Sequence, residues 1–297
     1  MFIRQSGANW IVTMIDEASA QRPRFDPSMK IGYVSLNVSD LEKSLDFYQR
    51  VLGFKPIVNQ DEGRAVLSAD GNSRLVELVQ TGLQGSAHRS AGLYHFAVLL
   101  PERKFLADML LNLRDKKDEV YFDGMSDHLV SEAIYIRDPD FNGVEIYRDR
   151  PGSEWRWSGS KIRMATEPLD TADLLKEATE SGWKTMPANT VIGHVHLHVR
   201  NLAKAMQFYR DLLGLEFTAT YPNAYFFAAG GYHHHIATNT WIGTAIQPAS
   251  PDKVGLNHFG IELPEHEVEK ILGRMTLENE NGFVHDPDGI RIRLYSS

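Results

Sequence analysis

From Ile31 to Val38 the chain reads Ile-Gly-Tyr-Val-Ser-Leu-Asn-Val, and its alternation predicts a strand whose residues at even spacing share a face. The period then changes: Leu41, Leu45, Tyr48 and Leu52 recur at helical spacing, with Asp40 at the N-cap position and Gly53 at the stop. Short strands follow. A second round opens with a strand around His95, continues with a helix from about Glu102 and closes with a strand after the Asp138-Pro139-Asp140 turn.

This plan occurs twice. Ile31 to Val38, with Phe47-Tyr48 and Leu52-Gly53, pairs with Ile192-Gly-His-Val-His-Leu-His-Val199, Phe208-Tyr209 and Leu213-Gly214 at a constant offset of 161. Leu93 to Glu102 pairs with Leu256 to Glu265, and Asp138 to Tyr147 with Asp286 to Tyr295. Four strand–helix–strands modules are predicted, arranged as residues 30–150 (modules 1 and 2), a linker over 151–190 with a short helix near Thr171 to Thr179, and residues 191–297 (modules 3 and 4). Residues 1–29 read as an extension ahead of the fold.

Composition narrows the chemistry. With 31 basic against 39 acidic residues and a net charge of −8, no basic surface for nucleic acid is expected. The absence of cysteine removes thiolate metal sites, iron–sulfur clusters and a Cys nucleophile, so any metal must sit on nitrogen and oxygen. Trp10 to Ile15 is too short for a membrane span and runs into Asp16-Glu17, giving the expectation of a soluble, cytoplasmic protein.

The module opening Asp40-Leu-Glu-Lys-Ser-Leu-Asp-Phe-Tyr-Gln-Arg-Val-Leu-Gly-Phe54 and the closing Asp138-Pro-Asp-Phe-Asn-Gly-Val-Glu-Ile-Tyr147 resemble the vicinal oxygen chelate superfamily. Gly193-His194-Val195, the run Gly230-Gly-Tyr-His-His-His-Ile236, Tyr94-His95-Phe96 and the pair Tyr135 and Glu145 resemble its type I extradiol dioxygenases, of the catechol 2,3-dioxygenase kind. The resemblance implies an α+β fold in which four βαβββ modules form two curved-sheet barrels. It also implies a metal held by one His from one module and by a His and a Glu from its partner, the non-haem Fe(II) arrangement, with Mn(II) as the alternative.

In the family's usual order modules 1 and 2 pair, as do 3 and 4, yet neither half of this chain holds a full ligand set. Module 1 has Tyr33 where the first His belongs, and module 4 has Arg293 where the Glu belongs, with Phe283 or Val284 near the tyrosine position. An arginine cannot ligate a cation and repels it. Modules 2 and 3 are complementary: His95 and Glu145 from one, His194 from the other. The expectation is that these two pair, across the linker or by swapping in a homo-oligomer, to complete one metal site, while modules 1 and 4 form a metal-free barrel; the rival account is a decayed, inactive site.

The resemblance assigns proton transfer to His234 and gives Tyr135 and His128 catalytic places beside the metal, His128 on a spacing about two residues shorter than the family's. His196 and His198, alternating with His194, and His233 would line the substrate pocket. Alternation places His234 on the opposite face from His233 and His235. The plain alternatives are a solvated histidine loop, a sheet-face Glu145 paired with Arg148 or Arg150, and core packing for Trp155, Trp157, Trp183 and Trp241; His258 reads as structural. The implied reaction is Fe(II)-dependent ring cleavage of a small aromatic diol by O₂. A glyoxalase-like metalloenzyme and a metal-free protein that binds small aromatics are the rivals.

Overall fold

The computed structural model describes residues 25–57, 63–81, 89–274 and 282–296. Most of the N-terminal extension, with Trp10 to Ile15, lies outside them. Module 1 comprises β1 (Lys30–Val38), α1 (Leu41–Asp46), β2 (Lys55–Pro56), β3 (Arg64–Ser68) and β4 (Val76–Gln80); module 2 comprises β5 (Gly92–Leu99), α2 (Arg103–Asp115), β6 (Tyr121–Asp127), β7 (Ser131–Arg137) and β8 (Gly143–Asp149). The connection carries a hairpin of β9 (Trp157–Ser158) and β10 (Lys161–Ile162), then α3 (Thr171–Leu174). Module 3 follows with β11 (Val191–His198), α4 (Leu202–Met206), β12 (Glu216–Tyr221), β13 (Ala224–Ala228) and β14 (Ile236–Asn239). Module 4 adds β15 (Gly255–Glu262), α5 (Glu265–Arg274), β16 (Phe283–His285) and β17 (Arg291–Tyr295).

Strand pairing crosses between the halves. One sheet runs β12-β13-β14-β11-β5-β8-β7-β6, joining modules 3 and 2 through antiparallel β11 and β5; the other runs β16-β17-β15-β1-β4-β3-β2, joining modules 4 and 1 through β15 and β1. All of this pairing lies within one chain. The four opening strands send Val34, Leu36, Phe96, Val98, Val195, Leu197, Phe259 and Ile261 into a single core shared by both sheets. Each such side chain contributes roughly 1.5–3 kcal/mol by leaving water.

The opening helix of each half is shorter than its apolar spacing suggests. Asp40 caps α1 by accepting from the Lys43 amide, and Asn201 caps α4 by accepting from Lys204, but after Asp46 and Met206 the chain widens into π-helical turns at Phe47–Val51 and Gln207–Leu213. The wider turn accompanies an inward-facing tyrosine in both halves. Tyr48 donates to Asp138 Oδ2 (2.9 Å) and Tyr209 to Asp286 Oδ2 (3.1 Å), so each tyrosine ties a module opening to the Asp-Pro-Asp turn of the next module. Gly53 and Gly214, at φ +82° and +104°, end these turns where a side chain would be strained.

Candidate metal centre

His95 on β5, Glu145 on β8 and His194 on β11 come together on one face of the sheet shared by modules 2 and 3. Parallel pairing sets Glu145 opposite Ala97, and antiparallel pairing sets His194 opposite the same residue, so the register itself gathers the donors. All three are buried, and their ligand atoms lie within 4.8 Å of one another. His194 Nε2 lies 3.1 Å from Glu145 Oε2, in a hydrogen bond. His95 Nε2 lies 2.9 Å from the same oxygen, and this buried nitrogen has no hydrogen-bond partner.

Burial alone would raise the Glu145 carboxyl; the neighbouring imidazoles, His194 first and then His95, outweigh it and hold the carboxyl well below the usual carboxylate range. Burial pulls His194 down to about 4 against the opposing pull of Glu145. An ionised carboxylate oxygen and two buried imidazoles converging on it form a donor set that suits a divalent cation, and the unpartnered His95 nitrogen faces the same centre. The fit is met by this chain's residues.

Glycine precedes His194 for a spatial reason. A Cβ on Gly193 would stand 1.8 Å from the Tyr147 hydroxyl, whose ring lies 5.0 Å from that of His194. The alternative pairing of Glu145 with Arg148 or Arg150 does not occur: both arginines, with Arg103, turn instead to the buried Glu132.

Around the donor set, His234 packs with its ring centroid 4.1 Å from that of His194. The run His233 to His235 is a loop, since β14 starts only at Ile236, so strand alternation does not govern it; nor is it solvated, because all three rings are buried. Asp149 Oδ1 lies 2.8 Å from His233 Nε2, and His233 Nδ1 lies 2.8 Å from His234 Nδ1. A carboxylate only accepts, so His233 donates from Nε2; in its neutral form its Nδ1 then accepts from His234 Nδ1, the tautomer that leaves the lone pair of His234 on Nε2. Burial, then the imidazoles of His194 and His233, hold His234 well below the usual histidine range, so it is neutral.

Tyr135 stands directly across the β7–β8 pair from Glu145, and its ring lies 5.5 Å from that of His95. Its hydroxyl is 2.7 Å from His128 Nε2, whose Nδ1 is 2.7 Å from the Ala165 carbonyl. The carbonyl fixes the proton of a neutral His128 on Nδ1, so Tyr135 donates to Nε2. Burial, then the Glu145 charge, raises Tyr135 well above the usual phenol range.

His196 packs against His95 (5.0 Å) and Tyr94 (5.1 Å), with its Nε2 unpartnered, and His198 Nδ1 lies 2.8 Å from Asn239 Oδ1. Beside them Val130, Ala219, Phe226 and Ala237 form an apolar wall completed by Ile162 of the connecting hairpin. Trp155, also from the connection, donates to the Val130 and Arg150 carbonyls and lies 5.2 Å from the His233 ring. Trp241 lies half exposed at 5.1 Å from His196, Trp157 is exposed, and Trp183 packs against the core. Sequence reasoning left Asp149 and the hairpin out of the site. Asp149 follows Glu145 by four residues on the same strand face, the one signal that could have flagged it.

The family model for the glyoxalase/bleomycin resistance protein/dioxygenase superfamily matches residues 30–146 and 191–294. The chain belongs to this superfamily. It is 39% identical over 270 residues to a catechol-2,3-dioxygenase of Bacillus subtilis, covering 86% of this chain and 93% of that protein. A lactoylglutathione lyase of Neisseria meningitidis is 28% identical over 133 residues, covering 42% of this chain and 95% of that protein, about the length of one half. Among solved structures, a candidate dioxygenase of Bacillus subtilis aligns with TM-score 0.58 at 15% identity over 90% of this chain and 84% of that one. Glyoxalase I of Zea mays aligns with TM-score 0.52 at 16% identity over 90% and 92%. Both share the superfamily's fold with this chain.

Proposed function

We propose that this chain is an Fe(II)-dependent extradiol dioxygenase that cleaves a catechol-type diol with O₂ in the cytoplasm, using one metal site composed from modules 2 and 3. The observation that carries the reading is the convergence of His95, Glu145 and His194 with His234 packed against them. The identity to a catechol-2,3-dioxygenase over most of both chains supports the substrate class. Two histidines and one carboxylate favour ferrous iron, which when bound would bring a diol and O₂ together and pass electrons between them.

The chain's own residues handle the proton and the ring. His234 Nε2, bare through the Asp149–His233 relay, accepts a proton from the diol hydroxyl and returns it to the opening product. Asp149 and His233 position that base. Tyr135, its O–H donated in a hydrogen bond to His128, offers its oxygen as an acceptor beside Glu145. His196 and His198 line the pocket, while Val130, Ile162, Ala219, Phe226 and Ala237 take the ring's apolar face and exclude water from it.

Anaerobic loading with Fe(II), followed by air-saturated catechol and alkyl or halo catechols, tests the reading. The yellow ring-opened product is expected from the native chain and not from Glu145→Gln. Bound iron with no colour across the series would overturn the reaction; full activity with manganese and none with iron would overturn the metal.

A further inference from the structure

The sheet of modules 1 and 4 carries its own side-chain cluster, and its charge is opposite in sign. At the place that corresponds to the metal centre stand Tyr33, His258 and Arg293, with Arg74 and Arg291 beside them. The Arg74 guanidinium lies 3.4 Å over the Tyr33 ring; those of Arg291 and Arg293 lie 4.5 and 5.8 Å from the Phe283 centroid. Tyr33 and His258 share a 3.0 Å hydrogen bond, and the His258 ring lies 5.0 Å from Phe283. Among the described residues the carboxylate in this group is the buried Glu77, which is bound by Arg64 and lies 4.0 Å from His258 Nε2.

Three half-buried guanidiniums thus surround one cluster, and among the described residues none has a carboxylate partner. Arg291 donates to Asn257 Oδ1 (3.1 Å), Arg74 lies on an aromatic face and Arg293 sits beside Tyr33. Like charges gathered in a partly desolvated cluster repel one another unless something neutralises them. The guanidiniums lie against the rings of Tyr33 and Phe283, and apart from the bond from Arg291 to Asn257 and the contact of Arg293 with Tyr33 their N–H groups are available to an oxyanion. His258 adds a second observation: its ring is buried and its Nδ1 has no partner.

We infer that the arginine cluster on the module 1 and 4 sheet is a binding site for a small oxyanion, the carboxylate of an organic acid or a phosphate, held by Arg74, Arg291 and Arg293. The occupant supplies the counter-charge the cluster lacks. This site needs no metal and does not depend on the reaction assigned to the other sheet.

Calorimetric titration of the full chain with inorganic phosphate and, separately, with benzoate, both at constant ionic strength in chloride, tests it. Saturable binding of one equivalent is expected, and the tighter of the two ligands names the source of the oxyanion. Arg74→Ala and Arg293→Ala should each weaken it about tenfold or more, the worth of one charge-assisted hydrogen-bonded contact. A melting experiment adds a readout that a merely structural arginine would not give. Without phosphate or benzoate, Arg293→Ala should melt no lower than the native chain, because a repulsion is relieved; with saturating ligand the native chain should rise and the variant should not. No saturable binding of either ligand up to about 10 mM, the range of the weakest specific contacts, would overturn the inference. So would native affinity retained in a folded Arg74→Ala/Arg293→Ala double variant.

Discussion

The two sheets are built to one plan and differ in what fills the plan. Gly32 stands to Tyr295 as Gly193 stands to Tyr147: in both sheets a Cβ on the glycine would lie 1.8 Å from the tyrosine hydroxyl. Pairing matches too, since Ala97 faces Glu145 as Gly260 faces Arg293, and Tyr135 faces Glu145 as Phe283 faces Arg293. That register assigns the tyrosine-equivalent position to Phe283 rather than Val284. On this shared frame, Tyr33 stands for His194, Arg293 for Glu145, Phe283 for Tyr135 and Ser35 for His196, while His95 and His258 keep their identity. Packing positions repeat because the fold demands them in both sheets; donor positions diverge because the fold is indifferent to them.

The largest effect that would break this comparison is loss of metal from one sheet alone. Glu145→Gln should lower bound metal after dialysis by more than about tenfold, since a neutral amide replaces the one anionic ligand. His258→Ala should leave metal content unchanged. The reverse result in elemental analysis would move the metal to the other sheet.

Next in size is the proposed proton relay, which has no counterpart among the described residues of the module 1 and 4 sheet. Asp149→Asn can offer an amide proton to His233 Nε2, reversing the ring's tautomer and occupying the His234 lone pair. Turnover should fall by about ten- to a hundredfold, as for other residues that orient a reacting histidine, with diol KM and metal content nearly native. Equal losses in metal content and turnover would make Asp149 a structural support instead.

The glycine pairs give a smaller effect that the two sheets should share. Gly32→Ala and Gly193→Ala each force the tyrosine hydroxyl aside, which should cost about 1–3 kcal/mol in denaturant unfolding, the usual range for overpacking. In Gly193→Ala, Tyr147 must also move against His194, so metal affinity should drop in that variant and not in its counterpart. A neutral outcome for both would mean the tyrosines swing out freely.

Much of this arrangement was legible from residues alone because it rests on repetition. An offset of 161 aligned Tyr33 with His194, the Asp-Pro-Asp turns aligned Glu145 with Arg293, and the missing partners then pointed to modules 2 and 3 as neighbours. What stayed hidden depends on contacts without a local pattern. The Asp149–His233–His234 chain joins residues more than eighty positions apart, and its outcome is a proton location. Trp155 and Ile162 lie in a connection whose composition reads as linker, although they wall the site. Alternation predicts opposite faces for neighbouring histidines of the run, but the strand starts only at Ile236 and the three imidazoles sit in a loop.

The finest distinction between the sheets is the hydroxyl at Tyr135, absent from its counterpart Phe283. Tyr135→Phe keeps the ring's packing near His95 and removes only the oxygen, so stability should change by about 1 kcal/mol, the net worth of one hydrogen bond. His128 loses the donor to its Nε2 but retains the Ala165 carbonyl on Nδ1, so its ring should stay in place. Metal content is then expected to be native and turnover to fall by less than about tenfold, because the acceptor oxygen assists a proton that His234 moves. A fall as deep as that of Asp149→Asn would make the Tyr135 oxygen an equal partner in the proton transfer, and His128→Gln, which leaves that oxygen with a different partner, should then show an intermediate loss. No change in either variant would reduce the Tyr135–His128 pair to packing, and the two sheets would differ in chemistry only at the ligands and the histidine relay.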